Sequence, residues 1–157
     1  MDLDDGDPEA LEILLVYLYT KPEYIEDQFK ERFCQKGVQV LSNLVIIADK
    51  YGACNIVSSV RSTLACVILT YKATHGTETL EILLHMTKVV FGPEACPGFG
   101  GGSLKNNITL LAFQQFKTVP DQRKTILQLM DEYVELRERM TRMSLLTENL
   151  QNIEAVP

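Results

Sequence analysis

Four cysteines, two histidines, an aspartate cluster and a glycine-rich stretch are the residues of this 157-residue chain with reactive or ligand-binding potential. Cys34, Cys54, Cys66 and Cys96 are scattered with no C-x-x-C pair, the pattern of buried thiols in a reducing compartment rather than of a metal knuckle or a disulfide framework. His75 and His85 form neither an i, i+4 pair nor H-E-x-x-H, and zinc needs three or four converging ligands. Asp2, Asp4, Asp5 and Asp7 offer the hard oxygens a calcium or magnesium ion takes, but without a calcium loop's glycine and closing glutamate. Acidic residues ahead of a helix instead favour the positive end of its dipole. Residues 94–107, EACPGFGGGSLKNN, invite comparison with a phosphate-cradling loop, yet G-K-[ST], a preceding strand and a later acidic ribose partner are all missing. A nucleophile beside a base, a carboxylate pair and a ligand set are all wanting, so the sequence predicts a protein that is not an enzyme and takes no cofactor or metal.

Composition narrows the partners. A net charge of −6 argues against a nucleic-acid backbone, which calls for clustered Lys and Arg. The 46% hydrophobic and 23% charged residues describe a chain that folds and buries a core. MDLDDGDP lacks the basic and apolar segments of a secretory signal, and no run reaches the roughly 18 apolar residues of a membrane span. An intracellular, cytoplasmic or nuclear protein is expected, with no membrane or nucleic-acid partner.

Helices must position whatever the chain uses. DPEALEILLVYLYT, residues 7–20, opens with an N-cap aspartate and a first-turn proline. It is apolar almost all round: Leu11, Leu14, Leu15 and Leu18 form one stripe, flanked by Ile13, Val16 and Tyr17. Such a helix is expected at the centre of the core. Pro22 ends it, and residues 21–37 read as a surface connection anchored by Tyr24, Ile25, Phe29 and Phe33. Leu41, Leu44, Val45, Ala48 and Tyr51 mark a second helix closed by Gly52, and Asn55 is placed to cap a third carrying Val57, Val60, Leu64, Val67, Ile68 and Tyr71. The short link makes these two helices packing neighbours. Leu80, Leu83, Leu84, Val90 and Phe91 mark a fourth helix, stopped by Gly92 and Pro93. The periodicity predicts helices over 8–20, 40–51, 55–73, 78–91 and 120–146, with any strand short and N-terminal. Leu15, Leu18, Val45, Ala48, Leu64 and Val67 are expected to be mutually buried.

The acidic lead, the L-Y-T of Leu18, Tyr19 and Thr20, and the A-D-K-Y-G of Ala48, Asp49, Lys50, Tyr51 and Gly52 follow one another as they do in the BTB/POZ domain, especially its fungal members, which this chain resembles. The resemblance covers about residues 1–75 and implies the helical half of an α+β domain with a helical extension, acting by protein–protein interaction. The β-hairpin and helices that come first in the family, with much of its dimer interface and its cullin-engaging motif, have no counterpart here. The implied partners are other proteins, a second copy of the chain among them, with cullin binding lacking its usual motif. A remnant or fragment of a full BTB protein acting as a cullin-ligase substrate adaptor is one alternative.

The segments after residue 75 are expected to divide into a helix at 76–92, a flexible Gly-rich loop at 93–107 whose residues 97–103 are dispensable for folding, and a helical extension at 108–157. Ile108, Leu111, Ala112 and Phe116 suggest a short helix, and Thr118 to Asp121 reads as a capping box for a longer one. Ile126, Leu129, Tyr133, Leu136, Met140, Met143 and Leu150 keep heptad spacing, with Leu129, Tyr133, Leu136, Met140 and Met143 as a candidate interaction seam. A small helical scaffold dimerising through a coiled coil is the other alternative. The flanking residues pair charge poorly, and Tyr133 with the methionines suits a helix docked on the chain's own helical layer better than a zipper.

Overall fold

The computed structural model describes residues 7–20, 25–71, 77–93, 95–99 and 102–154, with the side chains of 25–36, 66, 69–71, 77–78 and 148–154 outside that description. The helices are α1 (Pro8–Tyr19), α2 (Ile25–Lys50), α3 (Cys54–Tyr71), α4 (Thr77–Phe91), α5 (Gly102–Thr118), α6 (Arg123–Glu132) and α7 (Val134–Glu154), with 3-10 turns at Pro97–Phe99 and Pro120–Gln122. No strand occurs among the described residues, so the fold is mainly α.

The centre is the hairpin of α2 and α3. Leu41, Leu44, Val45 and Ala48 of α2 meet Val60, Leu64 and Ile68 of α3, and each is almost completely buried. Gly52, at φ +69°, turns the chain between them. Its N–H donates to the Asp49 carbonyl at 3.0 Å, and the Ala53 N–H donates to the Ala48 carbonyl at 2.8 Å. These paired bonds satisfy carbonyls that a helix end leaves open, and glycine reaches this backbone without a Cβ penalty. Asn55 is not the cap of α3: the helix starts one residue earlier, and the Ile56 and Val57 amides donate to the Ala53 carbonyl.

The first helix lies at the edge. Asp7 does cap it, accepting from the Glu9 N–H at 3.0 Å, and its other carboxylate oxygen accepts from the Asn43 side chain of α2 at 2.8 Å. Only Ala10 and Leu14 are buried, whereas Leu15 and Leu18 are 46% and 58% exposed. The expectation that both leucines lie in the core is therefore overturned. A helix packed chiefly against one neighbour, here α2, hides one narrow stripe, however apolar its other sides are.

Residues 25–36 are helical rather than an irregular connection; Tyr24 and the side chains of Ile25, Phe29 and Phe33 lie outside the described residues. At Gly37 the backbone takes φ +81° and ψ 161°, breaking α2 into two helical pieces just ahead of buried Val38. His75 and Asp2, Asp4 and Asp5 also lie outside the described residues. Cys54, expected to be buried, is exposed as the first residue of α3, and Cys96 is half-buried. Cys34 and Cys66 fall among the side chains not described.

In the glycine-rich stretch Gly98 and Phe99 are packed, contrary to the expected flexible loop, and Gly100 and Gly101 lie outside the described residues. Phe99 is 1% exposed, and Gly98 sits so close to α2 and α3 that a Cβ there would meet Val45 Cγ1 at 3.0 Å and Val57 Cγ1 at 3.2 Å. Arg61 of α3 donates to the Gly98 carbonyl at 3.3 Å, and the Cys96 thiol donates to Asp49 of α2 at 3.2 Å. A single aromatic ring thus anchors a segment whose glycines otherwise favour disorder, because the flanking residues seat it between two helices. The helix that follows starts at Gly102, with Leu104 fully buried, and is longer than its apolar pattern suggested.

The capping box at Thr118 to Asp121 does not form. The Thr118 hydroxyl turns back to the Gln114 carbonyl at 2.8 Å, and neither Val119 nor Gln122 caps with a side chain. Arg123 instead closes α5, its guanidinium donating to the Phe116 and Lys117 carbonyls at 2.9 and 3.3 Å. The helix expected over 120–146 is interrupted at Tyr133, whose backbone is extended at φ −113°. Buried residues of all seven helices, from Ala10 to Met140, form one continuous core.

Phe99→Ala should cost about 3–5 kcal/mol, on the order of 10 °C in Tm at this chain length. Leu18→Ala should stay within about 0.5 kcal/mol, the surface range. Chemical denaturation of both variants checks the ranking; equal effects would contradict it.

Candidate interaction surface

Three of the polar clusters among the described residues hold one element of the fold to another. Ser42 Oγ, in a completely buried residue of α2, donates to the Gln39 carbonyl at 2.8 Å and stands 2.9 Å from His85 Nε2 of α4. With its own proton committed to Gln39, the hydroxyl accepts from the imidazole, so His85 is a satisfied histidine that ties two helices. Burial, and secondarily Lys88, hold its pKa below the usual histidine value. A serine hydroxyl shut off from solvent and spent on a carbonyl is badly placed to attack a substrate.

Cys96 and Asp49 form the second constellation. Burial first, then the bond to Asp49, pushes the Cys96 thiol up, away from the reactive thiolate. The third joins α5 to α7: Glu135 accepts from Lys105 at 2.7 Å and from Arg139 Nε at 3.0 Å, while Arg139 also donates to Asn106 at 2.9 Å. These cations, Lys105 first, hold the Glu135 carboxyl below its ordinary range. No group of three or more His, Cys, Asp or Glu able to hold a metal ion occurs among the described residues, and no described helix is long and apolar enough to cross a membrane. All three clusters bring together residues far apart in sequence, and no local motif signals them.

The sequence-predicted residues divide by accessibility. Ala48 is fully buried, Asp49 and Tyr51 are half-buried, Lys50 and Gly52 are exposed, and together they build the end of α2 and its turn. Leu129, Tyr133, Leu136 and Met140 face the chain's own core and Met143 is half-buried, so the heptad spacing serves intramolecular docking. Leu18, Tyr19 and Thr20 are exposed, and the Thr20 hydroxyl bonds to the Val16 carbonyl.

What remains is apolar surface. On α1, Leu15, Val16, Leu18 and Tyr19 are 46%, 48%, 58% and 86% exposed over a little more than one helical turn. Residues 15, 16 and 19 continue the line of Pro8 and Glu12, so the exposed side is a continuous stripe opposite buried Ala10 and Leu14. A second set, Val134, Leu145 and Leu146, lies along the outer side of α7. Contiguous exposed apolar side chains rimmed by polar residues are surface available for contact with a protein, a membrane or a ligand.

No family model matches the chain, and neither the curated proteins nor the solved structures yield a match.

The Glu135 cluster gives a pH dependence of known sign. A carboxyl whose folded pKa is depressed contributes stability that is present above its unfolded pKa and lost as pH falls through the folded value. Wild type should therefore exceed Glu135→Gln in stability at neutral pH, by no more than about 1 kcal/mol because the pair is partly exposed. The gap should close on acidification below the ordinary glutamate value of 4.5. Urea melts at neutral and acid pH check this; a gap that widens in acid would contradict it.

Proposed function

We propose that this chain is a non-catalytic protein–protein interaction module that binds through helical surfaces, with the outer face of α1 as its principal docking face. The observation that carries the reading is the exposed stripe of Leu15, Val16 and Tyr19, with Leu18 exposed beside it at the helix end, on a helix tied at its start by Asp7 and Asn43. An apolar face held in fixed orientation presents area to a partner at low ordering cost. A tyrosine at such a place is the kind of anchor that contributes most on binding, with the aliphatic side chains around it excluding water.

The BTB/POZ resemblance supports the same reading. The L-Y-T residues end α1, the A-D-K-Y-G residues end α2, and α3 follows as a third helix, which is the order the resemblance implies. In that reading the α1 stripe is the face another polypeptide, or another part of a BTB-like assembly, would cover.

Replacing Leu15 and Leu18 together by glutamate should abolish most binding of an apolar-surface dye and suppress nonspecific light scattering of the purified chain. Helicity and Tm should stay close to wild type, since both positions are exposed. Unchanged dye binding, or global unfolding of the variant, would count against α1 as the docking face.

A further inference from the structure

The outer side of α7 carries a pattern independent of the α1 stripe. Val134, Glu138, Arg142 and Leu146 recur at every fourth residue, and all four are exposed. Residues four apart form one of the ridges by which helices pack. Along this ridge the order is apolar, acidic, basic, apolar, with Val134 52% and Leu146 64% exposed. Neither Glu138 nor Arg142 is engaged in an ion pair or hydrogen bond among the described residues; the nearby pairs use Glu135 and Arg139 instead.

That order is its own complement when read backwards. Laid antiparallel on an identical ridge, about a twofold axis level with Met140, Val134 meets the other copy's Leu146 and Glu138 meets the other copy's Arg142. The same two contacts recur on the far side of the axis. A twofold interface requires this reciprocity, in which residue i touches j and j touches i. An unrelated partner would have to supply the complementary series by chance. We propose that a second copy of this chain docks here, giving an antiparallel α7–α7 homodimer with two Glu138–Arg142 pairs closed at each end by Val134 on Leu146.

The seam is distinct from the heptad residues Leu129, Tyr133, Leu136 and Met140, which are spent on the chain's own core. It runs over thirteen residues, Val134 to Leu146, about 18 Å of helix. One ridge of that length falls short of the roughly 800 Å² per partner of a standard interface, so the dimer is weak and concentration-dependent. Opposite charges set its register, and like charges facing across it are strongly disfavoured.

The charge arrangement supplies the test. Sedimentation equilibrium over a range of concentrations should show wild type passing from monomer to dimer. Glu138→Arg alone and Arg142→Glu alone each place like charges across the axis, and each should weaken the dimer by roughly tenfold or more. The double exchange E138R/R142E restores opposite pairs and should restore the dimer. Mixing the two single variants should yield a heterodimer, since each supplies what the other lacks. Circular dichroism checks that every variant keeps the wild-type helicity. A monomeric wild type, single variants that dimerise as wild type does, or a double exchange that fails to recover would each overturn the proposal. The Leu15 and Leu18 variant should leave this equilibrium unchanged, which separates it from the α1 reading.

Discussion

The turn at Gly52 is the constraint on which the rest of the architecture depends. By taking a left-handed backbone there, the chain closes the end of α2 with two amide-to-carbonyl bonds and starts α3 within three residues. These two helices are thereby forced into contact, and burial of their facing apolar side chains is the main favourable term. A Cβ at Gly52 would meet nothing within 4 Å, so glycine is needed there for its backbone freedom and not for space.

Helices α1, α4 and α5 are joined to that hairpin by one or two specific ties, and α6 and α7 pack on α5. The Asp7 carboxylate both caps α1 and reaches Asn43, and the Asn43 bond is the main cause of its lowered pKa. Ser42 and His85 join α2 to α4, and Asn107 of α5 donates to the Ala65 carbonyl of α3 at 3.1 Å. Phe99 and the Arg61 bond to Gly98 hold the segment between α4 and α5 across the hairpin. Hydrogen bonds of this kind each add about 1 kcal/mol and fix orientation more than they drive association. Apolar area does the latter, which explains why a helix with one buried stripe, such as α1, is peripheral.

The helices were legible in the sequence because periodicity depends on each segment alone. The apolar spacing of residues 41–48 and 57–68 marked the central pair, and Gly52 marked the turn between them. What periodicity does not encode is how many neighbours a helix has. Leu15 and Leu18 belong to the most apolar segment of the chain, yet they face outward because the neighbours that would cover them are a tertiary matter. Composition misled at residues 97–99 for a similar reason: the glycines suggested a linker, while burial of Phe99 and the close approach of Gly98 to Val45 and Val57 decided the outcome. The break at Tyr133 falls in an unbroken heptad with neither proline nor glycine, so no local residue announces it. The exposed ridge of α7 was in principle readable from its fourfold spacing, but only after the alternate seam of Leu129, Leu136 and Met140 is known to be buried.

The fold thus has the α2–α3 hairpin at its centre and an outer helix, α1, whose apolar stripe is exposed. Native-state hydrogen exchange tests that division most directly, because it reports opening free energies helix by helix. The amides of Leu44, Val45, Ala48, Val60 and Leu64 should exchange only through global unfolding, whereas those of α1 should exchange through a separate opening of lower free energy. Protection in α1 equal to or greater than that of the α2–α3 pair would contradict the account, placing α1 at the centre of the fold and its exposed stripe outside any docking role.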